Sequence, residues 1–207
     1  MTRLRIERFL KILAAQIDGP ARAYLTGAAA AAVWGRVRPS VDIDLGLEWR
    51  TATRRHSPGS WEALQRAVDR TTRLTGIPTS VAEDIDRWGM ITLLDYKRSS
   101  TRFAVFGRLE VRLLNPANWS IGKLTRCLDP DLRDVVEVFR RQDVSWLHVV
   151  RTWGKALRVS PASTAQFQFR GNVEDFLRRR GRSAWGPAFD AATATRRFHT
   201  AAGIPAA

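Results

Sequence analysis

Two aspartates that alternate with apolar residues are the strongest chemical feature of this sequence. Asp42 and Asp44 lie in the run 41–47, whose alternation predicts a β-strand. Side chains two residues apart on a strand share a face, so both carboxylates should project together. The opposite, core-facing side should carry Val41, Ile43 and Leu45. Two adjacent carboxylates repel each other unless a cation lies between them, so the pair predicts a Mg²⁺ or Mn²⁺ site completed by substrate phosphates.

Gly27 is the second such feature, because it lies where a predicted strand (23–25) meets a predicted Ala-rich helix (28–34). Glycine allows a phosphate to approach the backbone closely. The start of a helix offers unpaired N–H groups and the positive end of the helix dipole. Together with the aspartates, this is the equipment for metal-assisted nucleotidyl or phosphoryl transfer. A solvated strand face without any function is the alternative interpretation.

The elements that must position these residues follow from hydrophobic periodicity. Helices are predicted over 4–17 and 60–75, and three strands over 90–94, 103–106 and 109–114. Four more helices are predicted over 116–128, 130–142, 145–157 and 162–180. This order predicts an α+β fold, with a mixed sheet flanked by helices and followed by a helical segment. The predicted divisions are a sheet domain (1–115), a helical segment (116–181) and a flexible tail (182–207).

Composition narrows the setting of the protein. The net charge of +14 favours acidic partners such as nucleotides or RNA, although a general bias toward Arg and Ala would produce the same value. Lysine is rare, which makes each lysine worth attention as a phosphate ligand. The single cysteine, Cys127, permits no disulfide within the chain and fits a reducing cytoplasm. No signal peptide or membrane-spanning run is expected.

The ordered set of strand, Gly27, helix and Arg38-Pro39-Ser40-Val41-Asp42-Ile43-Asp44 resembles the signature of the nucleotidyltransferase superfamily, which includes DNA polymerase beta. The sequence is most similar to bacterial abortive-infection toxins of the AbiEii/AbiGii type and to related uncharacterised families. Those proteins also carry a later motif that resembles Lys123-Leu124-Thr125-Arg126 followed by Asp131-Leu132-Arg133-Asp134. The resemblance covers roughly residues 22–142 and implies a polymerase-beta-like sheet.

The resemblance also implies roles for individual residues. Asp42 and Asp44 would bind the metal ions, and the remaining implied nucleotide-binding residues are Gly27, Ala28, Arg38, Ser40, Lys123 and Arg126. Ala28 departs from the Gly or Ser of the family and narrows the space for a phosphate. Asp131 and Asp134 are expected to pair with nearby arginines.

The family uses a third carboxylate to bind metal and to activate the attacking hydroxyl. Glu110 is the first candidate in this chain, because it alternates with apolar neighbours in a predicted strand, and Asp95 is the second. Arg112 lies two residues from Glu110 on the same face, so a simple ion pair between them is the alternative.

The implied activity is the Mg²⁺-dependent transfer of a nucleoside monophosphate from a nucleoside triphosphate to a hydroxyl. The acceptor would be an RNA end or a protein, and the setting a toxin–antitoxin or phage-defence system with a cognate antitoxin. Two alternatives stay open: a catalytically degenerate protein of the same fold that binds nucleotide or nucleic acid, and a nucleotidyltransferase that modifies a small molecule such as an antibiotic.

Overall fold

The computed structural model describes residues 1–35, 41–51, 53 and 57–205. These residues form an α+β structure with a five-stranded mixed sheet and flanking helices, which confirms the predicted fold class at that level. The chain divides into two compact units. The first contains residues 1–88 and 97–114, and the second contains residues 89–96 and 115–207.

The first unit contains the sheet. Its elements are α1 (Arg3–Gln16), β1 (Ala21–Thr26), α2 (Gly27–Trp34), β2 (Ile43–Trp49), α3 (Ser60–Thr75), β3 (Thr79–Ala82), a 3-10 turn (Ile85–Trp88), β4 (Thr101–Phe106) and β5 (Leu109–Leu113). A short helical turn, α4 (Tyr96–Ser99), precedes β4. The strand order is β3-β2-β1-β5-β4. The central strand β1 runs antiparallel to β2 and parallel to β5.

One face of the sheet is apolar and forms the core of this unit. Alternate residues of the three central strands are fully buried, among them Ala23, Leu25, Ile43, Leu45, Leu109 and Val111. The Trp49 indole N–H donates to the Ser60 carbonyl at the start of α3 and ties that helix to β2 (2.9 Å). Val41 was predicted to join this core but is 81% exposed. It lies in a bend before β2 begins, so strand alternation does not apply to it.

The other face of the sheet is polar. Along β2 it carries Asp44 and Glu48, which are opposite Thr26 and Arg22 of β1. Between them lies Gly46, which is covered by the side chain of Ile85. A Cβ added to Gly46 would be only 3.0 Å from Ile85 Cγ2. This polar face therefore has two ends, one at Asp44 and one at Glu48, separated by an apolar cover.

The second unit is helical around an aromatic core. Its helices are α5 (Pro116–Arg126), α6 (Asp129–Arg141), α7 (Trp146–Val159), α8 (Thr164–Trp185) and α9 (Ala191–Ala202). Phe176 contacts Trp153 and Phe139 edge-on, with ring centroids 5.9 and 6.4 Å apart. The four helices predicted between 116 and 180 all form, with ends shifted by up to five residues.

Two predictions about elements are wrong, and one strand was not predicted. Residues 90–94 form no strand and belong to the helical unit, whereas β3 was not predicted. The flexible tail from Arg182 is also wrong, because α8 continues to Trp185 and α9 buries Phe198 completely. Gly154 of α7 lets α9 approach, since a Cβ there would overlap Ala201. The Ala- and Thr-rich composition of α9, typical of a loose tail, here supports close packing of two helices.

Candidate functional site

Gly27 connects β1 to α2 in a backbone conformation that favours glycine. Its φ is +62°, in the left-handed region that other residues rarely adopt. The preceding residue, Thr26, is the N-cap of α2 but makes no capping hydrogen bond with its side chain. The predicted sequence of strand, glycine and helix is therefore present at this junction.

The Asp44 carboxylate lies directly against Gly27. Asp44 is paired with Thr26 in the antiparallel ladder between β2 and β1, which brings it level with the start of α2. A Cβ on residue 27 would overlap Asp44 Oδ2 and would approach Asp44 Cβ to 3.1 Å. Two residues that are 17 apart in sequence thus form one compact arrangement at the end of the sheet.

The other predicted residues of this end are less closely defined. Asp42 is half-buried and lies in the bend that leads into β2, so it precedes the strand rather than belonging to it. Ala28 is the second residue of α2 and is half-buried. Arg38 and Ser40 lie outside the described residues.

Gly27→Ala is expected to destabilise the first unit by about 1–3 kcal/mol, because alanine must adopt the left-handed conformation and must displace the Asp44 carboxylate. Gly76→Ala is the matched control: Gly76 has φ +66° but no atom lies within 4 Å of its added Cβ. Urea denaturation of both variants separates strain from overlap. Equal losses of unfolding free energy would show that the contact between Gly27 and Asp44 contributes nothing.

Glu110 does not join the two aspartates. It faces the same side of the sheet as Asp44, but it is level with Arg22 and Glu48, four residues along the strands from the Asp44 pair. At about 3.3 Å per residue this separation is roughly 13 Å. The last pair between β1 and β5 is Leu25 with Leu113, so the residue of the β5 side that follows, level with Thr26, is the apolar Leu114. Glu110 is therefore misplaced for the predicted role of third metal ligand and base.

Asp95, the second candidate for the third carboxylate, does not take the place of Glu110 in the first unit. It belongs to residues 89–96 of the second unit, where it is exposed and has a left-handed φ of 53°. Among the described residues, no group of three or more His, Cys, Asp or Glu side chains is arranged to bind a metal ion.

Glu110 instead belongs to a charged network that the sequence did not predict as a unit. Arg22 Nη2 and Arg112 Nη1 each lie 2.9 Å from one of its carboxylate oxygens. Glu48, in the next strand but one, accepts hydrogen bonds from the Tyr24 hydroxyl (3.0 Å) and from Lys97 Nζ (2.8 Å). We call this network the sheet-face cluster; its charged members are Arg22, Glu48, Arg50, Lys97, Glu110 and Arg112.

The sheet-face cluster shifts the acidity of its members. Burial alone would raise the pKa of the Glu110 carboxyl, but hydrogen bonds from Arg112 and Arg22 outweigh it and lower that pKa. Burial, together with the nearby Glu48 carboxylate, raises the pKa of the Tyr24 hydroxyl to about 12. The Glu110 carboxylate is therefore held as an anion at neutral pH.

The lowered pKa of Glu110 predicts an acid-sensitive sheet. A carboxyl whose folded pKa is depressed stabilises the protein above its unfolded pKa of about 4.3, and that stability is lost as the pH falls through the lower folded pKa. Unfolding free energy, measured in urea from pH 6 to pH 3, should therefore fall less steeply for Glu110→Gln than for wild type. Glu62→Gln, at an exposed position on α3, should keep the wild-type slope. The same slope in all three proteins would contradict the ion pairs of Glu110.

Lys123 and Arg126 lie in the second unit, where Lys123 is almost fully buried. Lys123 Nζ lies 2.8 Å from a carboxylate oxygen of Asp131 and 2.8 Å from one of Asp134, and its side chain is 2% exposed. Arg126 is 56% exposed and pairs with the second oxygen of Asp131 at 3.0 Å. The expected pairing of Asp131 with an arginine is confirmed. The predicted phosphate contact of Lys123 is not supported, because two buried carboxylates already surround its amine.

Comparisons with known proteins do not assign this chain to a family. A scan against protein-family models finds no match, and searches of curated proteins and of solved structures find none either. Within the described residues, no helix is both long enough and apolar enough to cross a membrane.

Proposed function

We propose that this chain binds a Mg²⁺–nucleoside triphosphate at the end of the sheet formed by Gly27, Asp42 and Asp44, as a nucleotidyltransferase-like protein. The observation that carries the proposal is the contact between the Asp44 carboxylate and the Gly27 backbone at the start of α2. A phosphate at the helix start would be repelled by the Asp44 carboxylate, since both are negative. The two can lie close together if the ligand also brings a cation.

The chemistry of the donors fits such a ligand. Carboxylate oxygens suit Mg²⁺, which commonly keeps one or two protein carboxylates and completes its shell with phosphate oxygens and water. The lack of a side chain on Gly27 lets the Asp44 carboxylate lie against the start of α2, and the N–H groups at a helix start favour an anion. Asp42 and Asp44 would hold the cation, and the first turn of α2 would face the phosphates.

Transfer of the nucleoside monophosphate to a hydroxyl is the activity that this ligand would support. Mg²⁺, when bound, neutralises charge on the phosphates and favours displacement of pyrophosphate. The protein would orient the nucleotide through α2 and Asp44. The acceptor hydroxyl, on an RNA end or a protein, would approach from the polar face of the sheet.

One observation favours a second candidate function, a nucleotide-binding protein without catalysis. Glu110 is engaged by Arg22 and Arg112 and lies about 13 Å from the level of Asp44, so it does not supply the third carboxylate of the family mechanism. Loss of a general base typically lowers the rate by about 10²–10⁴-fold. Such a protein would bind nucleotide and metal but transfer almost nothing.

A single set of assays distinguishes the two functions. The protein is incubated with each α-phosphate-labelled nucleoside triphosphate and Mg²⁺, with and without total RNA, and the label is followed into RNA and protein. Binding of the same nucleotides is measured by calorimetry with Mg²⁺ and with EDTA. Transfer supports the enzyme, Mg²⁺-dependent binding without transfer supports the binding protein, and the absence of both would overturn the proposal.

A further inference from the structure

The sheet-face cluster carries more positive charge than its own ion pairs need. It contains four cations, Arg22, Arg50, Lys97 and Arg112, around two carboxylates, Glu48 and Glu110. Each carboxylate is nearly buried, with side chains 6% and 11% exposed, and each already has more than one cationic partner. A surplus of two positive charges therefore remains on this end of the polar face.

Two of the arginines are fixed in orientation before any ligand arrives. Arg22 directs Nε and Nη2 to the same oxygen of Glu110, at 3.2 and 2.9 Å. Arg112 donates from Nη1 to Glu110 and from Nε to the Ser100 hydroxyl (2.7 Å), while Nη2 contacts the Ser100 carbonyl. Guanidinium groups held in this way lose little additional freedom when they bind an anion.

The cations of the cluster also remain accessible, unlike its carboxylates. Arg50 is the most open of the cluster arginines, 48% exposed, and its Nε lies 3.5 Å from Glu110 Oε2. Lys97 is 39% exposed although it pairs with Glu48. The acidic groups thus form the floor of the cluster and the basic groups form its outer surface.

We propose that the sheet-face cluster is a binding site for a terminal phosphate group. A phosphate monoester carries about −1.5 to −2 charges at pH 7, which matches the surplus of two positive charges. Its oxygens suit charge-assisted hydrogen bonds from the exposed cations Arg50 and Lys97. The site is distinct from the Asp44 end, because its carboxylates Glu48 and Glu110 lie roughly 13 Å along the strands from the level of Asp44. Ile85 covers Gly46 between the two levels.

The test uses the full chain in EDTA, so that it does not depend on the metal site proposed above. Phosphate is titrated into the protein while the arginine Nε–H signals are followed by NMR, and Arg50→Gln is compared with wild type. Loss of one charge-assisted hydrogen bond should weaken binding by about tenfold or more. Arg66→Gln, an equal change of charge at an exposed position of α3, should stay within about twofold of wild type.

Additional titrations identify which kind of molecule carries the phosphate group. AMP and a 5′-phosphorylated trinucleotide are each compared with their 5′-hydroxyl counterparts. Tighter binding of the phosphorylated trinucleotide than of AMP would indicate that the site binds the end of a nucleic-acid strand. Binding should weaken from pH 7.5 to pH 5.5, because the phosphate gains a proton with a pKa near 6. If phosphate shifts no cluster arginine, or if Arg50→Gln and Arg66→Gln lose affinity equally, the cluster is a structural ion-pair network and the proposal is wrong.

Discussion

Asp44→Asn is expected to weaken the binding of Mg²⁺–nucleoside triphosphate by more than about 100-fold. Replacing residues that only support a metal ligand costs about 10–100-fold in affinity, and Asp44 is proposed here as a ligand itself. Asparagine keeps the shape of the side chain against Gly27 but removes the negative charge that would attract the cation. The measurement is calorimetric titration of nucleotide in the presence of Mg²⁺, with the direct binding of Mn²⁺ followed by its electron paramagnetic resonance signal.

The control for this variant is Asp69→Asn, which removes the same charge from an exposed position on α3. It should bind the nucleotide as wild type does. In EDTA, Asp44→Asn and wild type should differ little, or the variant should bind more tightly, because a carboxylate that repels the phosphates has been removed. Equal affinity of Asp44→Asn and wild type with Mg²⁺ present would remove Asp44 from the site and leave the proposed function without its main support.

Lys123→Met is expected to lower the unfolding free energy of the helical unit by about 3–5 kcal/mol. The substitution leaves Asp131 buried without its buried counterion, and Asp134 loses the same partner. Breaking a buried ion pair by removing one member typically costs this much, because the remaining charge stays desolvated. Hydrogen bonds from Arg126 and Lys123 lower the pKa of Asp131 although burial alone would raise it, so this carboxyl is an anion near neutral pH.

Arg126→Met is the matched control, since it removes another partner of Asp131 from a side chain that is 56% exposed. Its cost should be about 1 kcal/mol or less, as for most exposed pairs. Adding Asp131→Asn and Asp134→Asn to Lys123→Met should recover part of the loss, because no buried charge then remains unpaired. Urea denaturation that shows equal, small losses for Lys123→Met and Arg126→Met would contradict a structural role. Undiminished nucleotide affinity in any folded Lys123 variant would further separate this lysine from the phosphates.

Local pattern was sufficient for several elements of the fold. The helix over 60–75 has the predicted ends, because its apolar spacing is regular and Gly76 adopts the left-handed conformation that ends it. The strand that carries Asp44 and the glycine at the start of α2 were likewise predicted from alternation and residue type. Residues 90–94 show the limit, since periodicity does not decide the structure of a short apolar run. This run forms an irregular segment in which Ile91 is buried but Met90 and Leu94 are exposed.

The candidate site was predicted only in part, because local pattern fixes some of its contacts and not others. Asp44 and Gly27 meet because β1 and β2 are antiparallel neighbours whose register pairs Asp44 with Thr26. The role of Glu110 was mispredicted because alternation gives the face of a strand but not its level along the sheet. A shift of four residues keeps the face and moves the side chain by about 13 Å.

The sequence by itself determined which residues alternate, where the helix over 60–75 begins and ends, and that Asp44 follows a glycine-started helix. Only the tertiary structure decided the partners of the charged residues. Arg22 and Glu110 are 88 residues apart and meet because β1 and β5 are parallel neighbours. Lys97 reaches Glu48 across 49 residues. Periodicity depends on neighbours within a few residues, whereas the energy of a charge depends on burial and on partners that distant strands supply.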